Sequence, residues 1–275
     1  MKVLGAAGLV VVMAAVAGGG LATGAFARAK KPVHTLPVSG PPVTTASFTF
    51  SATVRGLIRR AGPMTLTGSG EADFTNDAVS ASITLPAALA ARLPGGATSS
   101  AVVQAVLSGG TVYAEVPGLS TLVGEPWISV ALPSSVTSGI PGAFSTVAAA
   151  LGDVNEILNF ASSKHAKVVS LGSSIVDATP VTGDRITGRI DGFGLNATVW
   201  ANSAGQLVEA TIGVAHGASA NGLAISATVD LSGYGAPVTI TVPPPSQVTA
   251  VPLSVVEQFL GGIFSKVHLG HDLAA

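Results

Sequence analysis

From residue 47 onward, apolar and polar side chains alternate with a period of two. Phe48, Phe50, Ala52 and Val54 are separated by Thr49, Ser51 and Thr53. Met64, Leu66, Ala72 and Phe74 alternate with Thr65, Thr67, Glu71 and Asp73, and Val79, Ala81, Ile83 and Leu85 with Ser80, Ser82 and Thr84. Successive side chains of a strand point to opposite faces, so this period predicts strands buried on one face only. The pattern returns at Leu195, Ala197, Val199 and Ala201, at Val208, Ala210, Ile212 and Val214, and at Leu223, Ile225, Ala227, Val229 and Leu231. Segments 101–107 and 111–116 flank Ser108-Gly109-Gly110, a hairpin signal. Segments 127–132, 166–171, 185–190 and 238–242 bring the total to about eleven strands.

The connections are short and carry turn chemistry. Asn202-Ser203-Ala204-Gly205 and Asn221-Gly222 join strands, and Asp73 and Asp77 flank Asn76 in a hairpin turn. Short connections make the sheet antiparallel. Helical spacing appears at 143–151 and 153–161, separated by Gly152. The second segment has Asp153 near its positive end and Val154, Ile157, Leu158 and Ala161 on one stripe. A third amphipathic stretch, 254–264, carries Val255, Val256, Phe259, Leu260 and Ile263, interrupted by Gly261-Gly262.

These elements predict an α+β fold. A sheet of eleven antiparallel strands coils strongly instead of staying flat. Its inward residues are mostly Ala, Val, Ile, Leu and Gly, and the chain has only 9 Phe, 2 Trp and 2 Tyr. Two architectures satisfy the pattern. One is a strongly curved half-barrel with two or three helices on its concave side, enclosing a dry apolar cavity. The other is a tight sandwich in which small residues let the layers sit close. An outer-membrane barrel ranks last, because aromatic girdles are nearly absent.

The N-terminus reads as an export signal. Lys2 is a short positive region, Val3 to Leu21 is almost purely apolar, and Ala25-Phe26-Ala27 has the small-x-small form of a cleavage site. The same stretch, followed by Arg28, Lys30 and Lys31, also has the form of an uncleaved anchor. No later run approaches the ~20 apolar residues of a spanning helix. The expected organisation is a signal or anchor at 1–27, a Pro-rich linker at 28–42, one domain at 43–246, and an extension at 247–275. The expected location is the cell envelope or periplasm, or outside the cell, with anchoring through residues 3–26 as the variant.

Composition narrows the function. Charged residues make up 10% of the chain, and 13 Lys and Arg against 14 Asp and Glu leave no basic excess for neutralising phosphates. The absence of Cys excludes disulfides, thiolate metal sites and a Cys nucleophile. The sequence contains no G-x-S-x-G elbow, P-loop or dinucleotide fingerprint. His34, His165 and His216 are dispersed, and His268, His271 and Asp272 stand in a terminal tail. Asp184 and Asp191 read as solvated turn carboxylates. Beyond the N-terminal segment, Arg55, Arg59 and Arg60 form the one basic cluster. No catalytic constellation, cofactor site or metal site is expected.

Several motifs, in order, resemble a known family. They are Gly109-Gly110-Thr111-Val112-Tyr113, Gly124-Glu125-Pro126-Trp127-Ile128-Ser129-Val130, and Ala197-Thr198-Val199-Trp200-Ala201 followed by Gly205-Gln206-Leu207. The series ends with Tyr234-Gly235-Ala236-Pro237-Val238 and Ile240 to Pro245. Over residues 45–246 the chain resembles the actinobacterial LppX/LprG-type cell-envelope lipoproteins, which are LolA-like in fold. It departs at Leu21-Ala22-Thr23-Gly24, where Gly24 occupies the place of the lipobox Cys, and at Asn202, where the family has an acidic residue.

The resemblance implies a half-barrel that holds an acylated lipid or glycolipid and carries it across the envelope. A membrane surface or envelope transporter would be a further partner, and no nucleic acid is expected. The candidate cavity residues, taken from segments expected on the concave side, are Leu122, Trp127, Phe144, Val147, Leu151, Ile157, Leu158 and Phe160. The alternative is a structural or adhesive surface domain with a filled core and no ligand.

Overall fold

The computed structural model describes residues 43–55, 62–91, 93, 96, 98–118, 120–131, 166–190, 193–216 and 224–252. The expected leader, the linker and the helical segments 143–151, 153–161 and 254–264 lie outside the described residues.

Among the described residues, twelve strands form one sheet. They are β1 (Thr45–Arg55), β2 (Met64–Asp73), β3 (Ala78–Leu85), β4 (Ala101–Ser108), β5 (Thr111–Glu115), β6 (Trp127–Ala131), β7 (Lys167–Val176), β8 (Thr179–Ile190), β9 (Phe193–Ala201), β10 (Leu207–His216), β11 (Ala224–Ser232) and β12 (Val248–Ala250). Their spatial order is β12-β6-β5-β4-β3-β2-β1-β11-β10-β9-β8-β7. Two meanders, β1 to β6 and β7 to β11, are joined where β1 pairs antiparallel with β11, from Ser47 opposite Ser232 to Arg55 opposite Ala224. The sheet is curved and open: β12 and β7 end the order and do not pair with each other. Two one-turn helices, α1 (Ala87–Ala90) and α2 (Ser120–Val123), complete the described elements with a 3-10 turn at Pro245–Gln247.

The alternating segments form strands close to the expected bounds. The turn after β2 forms around Asp73, whose Oδ1 accepts from the backbone N–H groups of Thr75 and Asn76 at 3.0 and 3.1 Å. The turn after β9 forms around Asn202, whose Oδ1 accepts from Ala204 and Gln206 N–H groups, both at 3.0 Å.

Two expectations are corrected. Segments 166–171 and 185–190 are parts of a longer hairpin, β7–β8, which turns at Asp177 and Ala178. Both residues have left-handed φ, 44° at Asp177 and 63° at Ala178, where a Gly or Asn would ordinarily mark the turn. Segment 238–242 is not a strand. Pro237 and Pro243-Pro244-Pro245 lack N–H donors, so this stretch cannot sustain a ladder. It belongs to an extended connection that carries the chain to the far edge of the sheet, where β12 runs parallel to β6. The one-turn helices α1 and α2 carry no periodic signal in the sequence, because four residues are too few to show one.

Candidate functional site

One face of the sheet is apolar across nearly its whole width. Strand register places Val103, Ile83, Gly68, Phe50, Val229, Ala210, Val199 and Asp184 side by side, one from each of β4, β3, β2, β1, β11, β10, β9 and β8. Paired residues in an antiparallel ladder share a face, so these eight form a single transverse row. Leu231, Phe48, Ala52, Ala72, Ala81, Ile186 and Ala197 extend the same face and are buried. Leu89 on α1 joins this cluster, and Leu93, Val116 and Tyr234 pack against it.

The wall is low because its side chains are small and its two central rings lie flat. Phe48 and Phe50 occupy the side-chain space of Gly70 and Gly68 on the neighbouring strand. A Cβ at Gly70 would meet Phe48 Cζ at 2.4 Å, and one at Gly68 would meet Phe50 Cε1 at 2.6 Å. The ring centroids are 6.5 Å apart with planes tilted by 30°. Two residues that would otherwise project from the wall thus extend along it, and the glycines on β2 are what permits this.

Asp184 ends the apolar row, with 3% of its surface exposed, and is the only charged residue buried among the described residues. The sequence pattern places it in a solvated turn beside Asp191. Instead it lies inside β8, in phase with Ile186 and opposite Val199, while Asp191 lies outside the described residues. The two-residue offset from Ile186 was the available signal. That offset has meaning only if β8 begins as early as Thr179, and no turn residue in the sequence marks that start.

The opposite face is polar and carries both tryptophans. A second transverse row runs through Val248, Trp127, Glu115, Gln104, Ser82, Ser69, Thr49, Asp230, Glu209, Trp200, Gly183 and Gly172, one residue from each of the twelve strands. Gln104 Nε2 donates to Ser82 Oγ at 3.2 Å, and Thr49 Oγ1 donates to an Asp230 carboxylate oxygen at 3.3 Å. Partial burial pushes the Glu209 carboxyl above its ordinary range, and the nearby Asp230 and Asp177 charges push it further. Trp200 fills the side-chain space of Gly183 on β8.

Trp127 therefore stands on the polar face beside Glu115, not on the apolar wall. Leu122, on α2, is 66% exposed. Alternation within 127–132 identifies two faces but not which one meets the core, and pairing with β5 decides it. Phe144, Val147, Leu151, Ile157, Leu158 and Phe160 lie outside the described residues. A hollow of about 270 Å³ lies against Val102, Gln104, Glu115, Pro117 and Pro126. It is below the ~300–1,000 Å³ of ordinary small-molecule sites and borders the polar face, so the apolar wall remains the candidate site.

Burial also fixes the rim of the wall. Tyr234, just beyond β11, donates its hydroxyl to the Leu207 carbonyl at the start of β10. Burial raises the pKa of this phenol well above its ordinary value. Thr45 Oγ1 donates to the Ala236 carbonyl at 2.7 Å, and Gly235 N–H donates to the Thr45 carbonyl at 3.1 Å. These bonds tie the extended connection to the start of β1. Among the described residues no group of three or more metal-binding side chains occurs, and no helix is long and apolar enough to cross a membrane.

No protein-family profile matches the chain, and no curated protein matches it. Among solved structures it is similar to the Mycobacterium tuberculosis lipoprotein LppX, at 14% identity over 72% of this chain and 90% of that one, with a TM-score of 0.40. It is similar to MucB, solved in complex with MucA(peri), at 12% identity over 74% of this chain and 53% of that one, with a TM-score of 0.28. It is also similar to a domain from Vibrio parahaemolyticus described as an outer membrane lipoprotein-sorting protein, at 8% identity over 71% of this chain and 87% of that one, with a TM-score of 0.22.

Proposed function

We propose that this chain is an exported, non-enzymatic binding protein that holds an acylated lipid or glycolipid against the apolar face of its sheet and carries it across the cell envelope. The observation that supports this reading most directly is the transverse row from Val103 to Val199, apolar on seven successive strands of an open sheet. Its low wall of Ala, Gly and Val, with Phe48 and Phe50 laid along it, suits a long flexible chain more than a compact polar substrate. Each methylene taken from water onto such a surface contributes about 0.8 kcal/mol. An acyl chain therefore binds without a directional polar contact, which fits a face whose one buried charge, among the described residues, stands at the end of the row.

The test is native mass spectrometry of the full chain purified from its own host, followed by titration of delipidated protein with a fluorescent acyl probe. The expected result is a bound lipid mass and saturable probe uptake. Absence of both overturns the carrier reading and leaves a surface domain with a filled core.

A further inference from the structure

The two edges of the sheet are built differently. One edge is closed by β12, only three residues long, with Pro245 before it and Pro252 two residues after its end. Its last ladder bond is from Val251 N–H to the Ser129 carbonyl at 2.8 Å. Short strands and prolines are the ordinary means of blunting an edge. The other edge, β7, is ten residues long and contains no proline. Its sole charged residue is Lys167, at its start, and Ile175 near its end is 71% exposed. Backbone donors and acceptors on the outer side of such a strand are a template for another strand.

We infer that β7 is an interaction surface for a second copy of this chain, pairing antiparallel with the second copy's β7 about a two-fold axis. The strand is self-complementary in that arrangement. Its irregularity between Ser170 and Gly172 shifts the side-chain phase, so Val168 and Ile175 share the apolar face. Their β8 partners, Ile186 and Pro180, are an even number of residues apart on one strand. An axis passing between Leu171 and Gly172 places Val168 opposite the second copy's Ile175, and Val169 opposite its Ser174. The irregularities of the two strands then coincide at the axis and do not break the ladder. Lys167 comes diagonally next to the second copy's Asp177, the carboxylate at the hairpin tip, and this happens twice by symmetry. The register thus covers the exposed Ile175, pairs the strand's only charge with an opposite one, and continues the apolar face from one copy into the other.

The chain has no native cysteine, which makes disulfide trapping free of background. In the full chain carrying Val169→Cys and Ser174→Cys, the two thiols of one copy are roughly 16 Å apart along an extended strand and cannot join each other. Across the axis each faces its counterpart at a distance suited to a disulfide. Oxidation is expected to give a dimer that reduction dissolves, with at least a tenfold higher yield than Ser174→Cys alone. Sedimentation of the unmodified full chain is expected to show twice the monomer mass at micromolar concentration. Lys167→Glu and Asp177→Lys are each expected to weaken association about tenfold, and their combination in one chain to restore it. Thermal melts of each variant confirm folding. A monomer at every concentration, a dimer that the cysteine pair does not trap, or a charge swap without rescue overturns the inference. Because none of these readouts involves a lipid, failure here leaves the binding reading standing.

Discussion

The ring of Phe48 rests where a side chain of Gly70 would be. A Cβ at Gly70 would lie 2.4 Å from Phe48 Cζ and 2.1 Å from the Ser80 carbonyl oxygen on the strand beyond. The glycine is therefore confined twice, by a ring on one side and by backbone on the other. Gly70→Ala is expected to destabilise the fold by about 3 kcal/mol, at the upper end for overpacking. Phe48→Ala in the same chain is not expected to rescue it, since the Ser80 carbonyl stays in place. Chemical denaturation of the single and double variants checks this.

Gly183 and Trp200 give the opposite outcome. All three of the nearest atoms to a Cβ at Gly183 belong to the Trp200 ring, two of them at 2.3 Å. Gly183→Ala should cost about 1–3 kcal/mol through displacement of the ring. In Trp200→Ala the same substitution should cost little. A double-mutant cycle is expected to give a coupling of at least about 1 kcal/mol, with a shift in tryptophan emission for Gly183→Ala.

The β7–β8 turn stores strain at Ala178, whose φ is 63°. A left-handed conformation costs an L-residue about 1–2 kcal/mol and costs glycine almost nothing. Glycine also gains freedom in the unfolded chain, which offsets part of the benefit. Ala178→Gly is expected to raise stability by roughly 0.5 kcal/mol, and Ala178→Val, β-branched, to lower it. Melting temperatures of the two variants should move in opposite directions.

Glu209 makes stability depend on pH. Burial, then Asp230 and Asp177, raise its pKa above 4.5 in the folded chain. Below 4.5 the group is protonated in both states and has no effect. As pH rises through the interval between the unfolded and folded values, the unfolded chain loses its proton first, so stability falls. Glu209→Gln removes that loss. The variant is expected to melt higher than the parent at pH 7 and to converge with it below pH 4.5, as calorimetry across that range would show.

Much of this architecture is legible from local pattern, for a physical reason. A half-buried strand must alternate, and residues 47–55, 64–74 and 79–85 alternate so cleanly that only pairing partners were missing. Turns with Asn202 or Asp73 are equally visible, because those side chains accept hydrogen bonds from backbone a few residues on. The hairpin tip at Asp177 and Ala178 has no such device. Its conformation is imposed by the strands it joins, so the sequence marks neither the tip nor the first half of β8, and local pattern leaves Asp184 in a turn.

The amino-acid sequence by itself determined most of the antiparallel strands, the small-residue apolar face and the turns around Asp73 and Asn202, since each follows from neighbours within a few residues. Tertiary structure alone decided that β1 meets β11, that β12 reaches β6 from more than a hundred residues away, and that Trp127 and Trp200 share the polar face. Those outcomes depend on register between distant strands. Shifting a pairing by one residue exchanges its two faces, and nothing in a local alternation says which face the rest of the chain will cover.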